Sequence, residues 1–147
     1  MKKEIFLASD HAAYHEKEAL KSFISLLGTY EVKDLGPLSD ERCNYSDYAI
    51  KVARSVQDKK ALGILLCGSG IGVSMVANRF KDVRAALCRS EEDAKLSRQH
   101  NDANIICFGA RVSSIDQIKS MLEVWLNTEF EAGRHSERIE IFNLLGQ

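Results

Sequence analysis

The stretch Leu62–Phe80, LGILLCGSGIGVSMVANRF, decides the fold. It opens with an aliphatic run, Leu62–Leu66, too short for a helix, which predicts a strand buried on both faces of a parallel sheet. The run stops at Cys67. Gly68, Ser69, Gly70, Ile71 and Gly72 follow, and then Val73, Val76, Ala77 and Phe80 recur at helical spacing. Strand, glycine-rich turn and helix in that order leave backbone N–H groups unpaired at the positive end of a helix dipole, forming an anion-binding nest. Cys67 stands at its mouth, where a thiolate is favoured. An isolated Cys-Gly would read as a buried strand-end thiol beside a tight turn. Glycines at alternate positions favour the nest.

The same alternation extends outward in both directions. Glu4–Ser9 reads as a first strand, followed at once by Asp10 and His11, and the stripe Ala12, Ala19, Leu20, Phe23, Ile24 and Leu27 predicts a helix stopped by Gly28. Tyr30–Leu35 is a short second strand. Gly36–Asp47 is a long loop, and a helix from about Tyr48 to Gln57 leads back to the central strand. Beyond Phe80, Arg84–Cys88 is strand-like, and Ser90-Glu91-Glu92-Asp93 resembles a capping box opening a helix to about Gln99. Asn104–Phe108 is a fifth strand. Ser113-Ser114-Ile115-Asp116 begins a further helix, and a last one runs from Arg134 to about Leu145.

Five strands alternating with helices predict an α/β domain with a parallel sheet and right-handed crossovers. Ligands in such sheets bind at the carboxyl ends of the strands, near a topological switch point. Asp10-His11 and Cys67–Gly72 fall there if strands one and three are neighbours.

Composition narrows the function. The chain has 147 residues, enough for one domain with a real core, and a net charge of −1 with a pI near 6.4, which excludes a broad nucleic-acid-binding surface. No apolar stretch approaches the roughly 20 residues of a membrane span, and no signal peptide is evident. Cys43, Cys67, Cys88 and Cys107 form no CxxC pair and no zinc spacing, so reduced thiols in a cytoplasmic protein are expected, without a metal.

Three glycine-loop chemistries fail on spacing. Val73 stands where a dinucleotide fingerprint needs its third glycine, no lysine lies in the turn for a nucleoside triphosphate, and Val73 again stands where a cysteine phosphatase needs arginine. What remains is a thiol base beside an oxyanion nest, suited to abstracting a proton next to a carbonyl and holding the enediolate. Ser69 could pass a proton between the two oxygens of that intermediate, or serve as a helix N-cap. His100, in Arg98–Asn104, is a candidate general acid or a helix C-cap, and His11 has the same alternative. Asp10 could be an N-cap. Arg134 and Arg138, one helical turn apart, read either as a phosphate clamp joined by Arg111 or as a solvated face neutralised by Glu131 and Glu137.

Together, SDHAA (Ser9–Ala13), NYSDYA (Asn44–Ala49), ILLCGSGIGVSMVANR (Ile64–Arg79), LSRQHNDAN (Leu96–Asn104), FGARV (Phe108–Val112) and FEAGRHSERI (Phe130–Ile139) resemble the RpiB/LacAB sugar-phosphate isomerase family, and within it the type B ribose-5-phosphate isomerases. The resemblance covers nearly the whole chain in order. It implies a Rossmann-like three-layer domain with a five-stranded parallel sheet, strands one and three adjacent. It also implies a single domain over residues 1–147, dimers or tetramers with the active site between subunits, and helix 134–145 docking on the neighbour.

The implied reaction interconverts ribose 5-phosphate and ribulose 5-phosphate without metal or organic cofactor. Cys67 would take the proton from C2, and Gly68, Ser69, Gly70, Ile71 and Gly72 would supply the nest. His100 would donate a proton for ring opening, Asp10 would hold sugar hydroxyls, Asn101 would bind substrate and Tyr45 would line the pocket. His11, Arg111, Arg134 and Arg138 would hold the phosphate, some of them from the neighbouring subunit. A family branch that uses a glutamate further along the loop is not matched, since positions 73–76 are Val-Ser-Met-Val. Ala13 and Ser46 depart from glycine and proline common in the family. An allose 6-phosphate or galactose 6-phosphate isomerase, and a non-catalytic sugar-phosphate-binding module, are the alternatives.

Overall fold

Five strands, Lys3–Ser9 (β1), Tyr30–Asp34 (β2), Leu62–Cys67 (β3), Ala85–Leu87 (β4) and Ile105–Gly109 (β5), form one sheet. In the computed structural model, which describes residues 2–147, all its pairings are parallel and the order is β2-β1-β3-β5-β4. Strands one and three are thus neighbours. The helices are Tyr14–Leu27 (α1), Tyr45–Lys59 (α2), Ile71–Ala77 (α3), Glu91–Gln99 (α4), Ile115–Leu126 (α5) and Arg134–Asn143 (α6), with a 3₁₀ turn at His11–Ala13.

The central strands are aliphatic throughout because both of their faces are covered. Alternate residues pack in opposite directions, as the two-residue period of a strand requires. Ile5, Leu7, Ile64, Leu66, Ile106 and Phe108 join Leu20 and Ile24 of α1, Ala94 of α4 and Ile118, Leu122 and Trp125 of α5. Phe6, Ala8, Leu65, Cys67, Ile105 and Cys107 join Ala49, Val52, Ala53 and Val56 of α2 and Val73 and Ala77 of α3. Each fully buried Leu or Ile contributes roughly 1.5–3 kcal/mol, so these two layers dominate stability. Helices α2 and α3 on one face and α1, α4 and α5 on the other is the distribution that right-handed crossovers give for this strand order. The order in which strands are added reverses at β1, β2 lying on one side of it and β3 on the other, which places the switch point at the carboxyl ends of β1 and β3.

Several helix boundaries differ from the sequence reading, α2 running on to Lys59 rather than Gln57. Helix α2 begins at Tyr45, not Tyr48: its first turn, Tyr45-Ser46-Asp47-Tyr48, is too polar for an apolar stripe to mark, yet Asp47 there complements the helix dipole. Helix α3 stops at Ala77, short of Phe80, because Asn78 turns aside to bond β4, its Nδ2 donating to Ala85 O and its Oδ1 accepting from Ala85 N. Helix α6 ends at Asn143 rather than Leu145. Ser90 caps α4 as expected, accepting from Asp93 N at 3.0 Å, but the reciprocal capping box forms at Ser114 and Gln117 of α5.

Candidate active site

Beyond the ends of β1 and β3 lies a cleft of about 580 Å³ lined by Asp10, Tyr45, Cys67, Gly68, Ser69, Ile71, Gly72, Met75, Arg111 and Val112. Asp10 holds the β1 side. Its N–H donates to Leu66 O at 3.1 Å, stitching it to β3, and its Oδ1 accepts from Ala13 N at 3.2 Å, capping the 3₁₀ turn. The adjoining loop is tied by Asp34, which pairs with the fully buried Lys17 at 2.7 Å and accepts from Gly36 N.

Cys67 closes β3 and is almost buried, and its Sγ accepts the N–H of Gly70 at 3.1 Å. The turn that brings this donor back has φ +78° at Gly70, and a Cβ there would lie 2.9 Å from the carbonyl carbon of Phe108. Only glycine fits both demands. Ser74 N donates to Gly70 O as the first helical bond, leaving Gly72 and Val73 among the unpaired first-turn donors of α3. Gly70, not Ser69, is therefore the N-cap. Ser69 Oγ instead accepts from Ile71 N at 3.1 Å.

Burial pushes Cys88 up to about 12, and its Sγ donates to Ala86 O. Full burial raises Cys107 well above the ordinary thiol value, and burial also raises Cys43. Cys67 is the cysteine whose sulfur receives a backbone N–H from the glycine turn.

Tyr45 and Arg111 frame the nest. The Tyr45 ring covers Gly72 so closely that a Cβ at Gly72 would overlap it, which explains the third glycine. Arg111 N donates to Gly68 O at 2.9 Å and its guanidinium lies over Gly68. Arg89 reaches Ser69 O at 3.4 Å from the β4 side. Met75, Val112 and Arg89 were not singled out by sequence: Met75 and Val112 are apolar and carry no chemical signal, and Arg89 is a lone arginine in a bend. His11 is next to the cleft, with its Nδ1 accepting from Cys43 N at 3.2 Å.

His100, Asn101, Arg134 and Arg138 lie elsewhere. The segment Arg98–Asn104 lies at the sheet's amino edge. His100 is the C-cap of α4, its N–H on Leu96 O, and the chain then enters β5, where Gly63 N donates to Asn104 O. Gly63 pairs with Ile105 and Cys67 with Gly109, so the length of β5, roughly 16 Å at ~3.3 Å per residue, separates this segment from Cys67. Asn101 lines a separate cavity of about 240 Å³ with Arg84, Ser97 and Phe142.

Helix α6 begins beside His100. Glu131 N donates to Gln99 O at 3.0 Å, and the rings of His100 and His135 stack with centroids 4.3 Å apart. Arg134 and Arg138 make no ion pair among the described residues. The alternative reading, neutralisation by Glu131 and Glu137, is not what the side chains form: Glu131 instead approaches His100 and His135 at 3.7 and 3.9 Å. Arg111, at the opposite edge, does not join the two arginines within one chain. His100, Glu131 and His135 bring three ligand-type atoms within 4.8 Å. Parallel stacked imidazoles, however, point their in-plane lone pairs side by side rather than at a single ion, which does not fit a metal centre.

A thiol at a strand end, a glycine nest and a polar cleft at the switch point of a parallel sheet define an enzyme of Rossmann-like α/β architecture. The Ribose/Galactose Isomerase family matches residues 5–142. Ribose-5-phosphate isomerase B of Escherichia coli is 38% identical over 146 residues, covering 99% of this chain and 97% of that protein. The structure of a ribose 5-phosphate isomerase from Thermotoga maritima superposes with a TM-score of 0.94 at 40% identity, over 99% of this chain and 100% of the other. Ribose 5-phosphate isomerase B from Anaplasma phagocytophilum does so with a TM-score of 0.91 at 44% identity, over 96% and 97%. The chain belongs to the ribose/galactose isomerase family, a family of isomerases. No helix among the described residues is long and apolar enough to cross a membrane.

Proposed function

We propose that this chain interconverts ribose 5-phosphate and ribulose 5-phosphate through a cis-enediolate, using Cys67 as base. The observation that carries the chemistry is the Gly70 N–H donated to Cys67 Sγ beside further unpaired N–H groups, since donors so placed stabilise charge on sulfur and then on the substrate oxygens. The five-carbon substrate rests on the names of the relatives. The Cys67 thiolate takes the C2 proton, and the electron pair moves through C1=O to give the enediolate. Ser69 Oγ relays a proton from O2 to O1, C1 is reprotonated, and C2 becomes the carbonyl. Asp10 and Tyr45 hold the sugar, and Gly68, Ile71 and Gly72 complete the nest.

The opposite placement of His100, Asn101, Arg134 and Arg138 supports a site completed by a second copy of the chain. One copy's amino edge would meet the other's cleft, His100 donating the proton that opens the sugar ring. The arginines, with His11 and Arg111, would grip the phosphate. Exposed Ile141, Leu144 and Leu145 on and after α6, and Met75 and Val112 at the cleft, offer apolar surface for that contact. We read the chain as a single domain acting without metal or organic cofactor in the cytoplasm. The test is turnover of ribose 5-phosphate and allose 6-phosphate with EDTA present. Preference for the pentose, insensitive to chelation, is expected; preference for the hexose would overturn the substrate, and inactivity on both the function.

A further inference from the structure

His135 lies at the amino edge beside His100, and the reaction just proposed gives it no task. Its side chain is 8% exposed, and its ring nitrogens make no hydrogen bond among the described residues. What it touches is His100: the two rings lie 17° from parallel at 4.3 Å. One carboxylate oxygen of Glu131 approaches both, 3.7 Å from His100 Nε2 and 3.9 Å from His135 Nε2. The segment holding this group is fixed from two sides. Glu131 N is bonded to Gln99 O, and Arg98, stacked on Trp125, donates to Thr128 O at 3.2 Å. Burial, then the neighbouring His100 and Arg134, hold His135 below the ordinary histidine value, so its ring is neutral near pH 7 and stacks without adding a charge.

Resting on the function proposed above, we propose that His135, together with Glu131, is a positioning residue for His100. The stacked ring fixes the plane of the His100 imidazole, and the shared carboxylate fixes its rotation within that plane. His100 then enters the second copy's cleft already oriented for ring opening. In that step the C1–O4 bond of the furanose breaks with its electron pair on O4. O4 takes a proton from His100, and the C1 hydroxyl releases its proton to water as C1=O forms. A donor misplaced by even an ångström loses much of its effect on such a step.

Ribulose 5-phosphate has its O5 phosphorylated and is open-chain, so removal of its C1 proton by Cys67 needs no ring opening. The experiment therefore measures two rates in wild type, His135→Ala and His135→Phe. These are isomerisation of ribose 5-phosphate, and deuterium uptake from D2O at C1 of ribulose 5-phosphate followed by NMR. His135→Ala should lower kcat for ribose 5-phosphate on the order of tenfold while deuterium uptake stays within about twofold. His135→Phe, which keeps a flat ring against His100, should recover most of the loss. Unchanged kcat in His135→Ala overturns the proposal, as does an equal fall in both rates, which is the mark of general distortion. Wild type that neither isomerises nor exchanges overturns the parent function as well.

Discussion

The two edges of the sheet carry different kinds of chemically capable group. At the carboxyl edge, backbone does the work: glycine turns aim N–H groups at a thiol and at the space beside it. At the amino edge, side chains dominate: two stacked histidines, a carboxylate between them, and two arginines without carboxylate partners. On the mechanism proposed, neither half suffices. A base without a ring-opening acid or phosphate grip would act on rare open-chain substrate, and the acid and arginines alone have no base. Within one chain β5 keeps the two groups apart, which is why we propose that a second copy of the chain completes the site.

The comparison breaks most visibly at Cys67. Cys67→Ala should cost on the order of 10³-fold or more in turnover, while thermal melting and inorganic phosphate binding stay close to wild type. Turnover at wild-type level would remove the base from the carboxyl edge. Next in size is the arginine pair. Arg138→Ala should lower kcat/KM by about 10–100-fold, the worth of a charge-assisted phosphate contact, and phosphate titration should weaken in step. Unchanged phosphate affinity in both Arg134→Ala and Arg138→Ala would leave the amino edge without its assigned ligand.

Smaller effects sharpen the contrast. Gly70→Ala forces a side chain into φ +78° and against Phe108, and should destabilise by about 1–2 kcal/mol, with turnover falling because the N–H to Cys67 is displaced. A melting temperature equal to wild type would show that the turn tolerates a Cβ. The smallest effect is at His135. Its value in the folded chain is depressed below the ordinary 6.5, so between those two values the unfolded chain binds more protons than the folded one. Stability should therefore rise with pH through that window and be lost as pH falls below about 6.5. Denaturant titrations from pH 7.5 to 5 should show a flatter slope for His135→Phe. An unaltered slope would mean that another group titrates there.

Much of the carboxyl edge was legible in sequence because its constraints are local. Ile64-Leu65-Leu66 reads as a doubly buried strand and the alternate glycines as a tight turn from their own spacing, whereas the room that Gly68 and Gly72 leave for Arg111 and Tyr45 comes from distant parts of the chain. The start of α2 at Tyr45 was hidden by a polar first turn. That Gly70 rather than Ser69 caps α3 was hidden because serine is the commoner cap. The amino edge was legible as residue types but not as a place. Whether His100 faces Cys67 depends on α4 running antiparallel to β5, a tertiary fact. The pairing of Glu131 with two histidines rather than two arginines depends on the backbone bond to Gln99, which no periodicity reports.

The split site itself is tested by mixing two inactive variants. Cys67→Ala and His100→Ala chains, each inactive as homo-oligomers, should regain activity when co-folded, because a mixed pair holds one site with both residues intact. Random pairing makes half the dimers mixed, each with one working site of two, which gives about a quarter of wild-type turnover. Recovery near that level is the predicted result. No recovery in a preparation that native mass spectrometry shows to contain mixed oligomers would contradict the account, because Cys67 and His100 would then have to serve a substrate from the same chain.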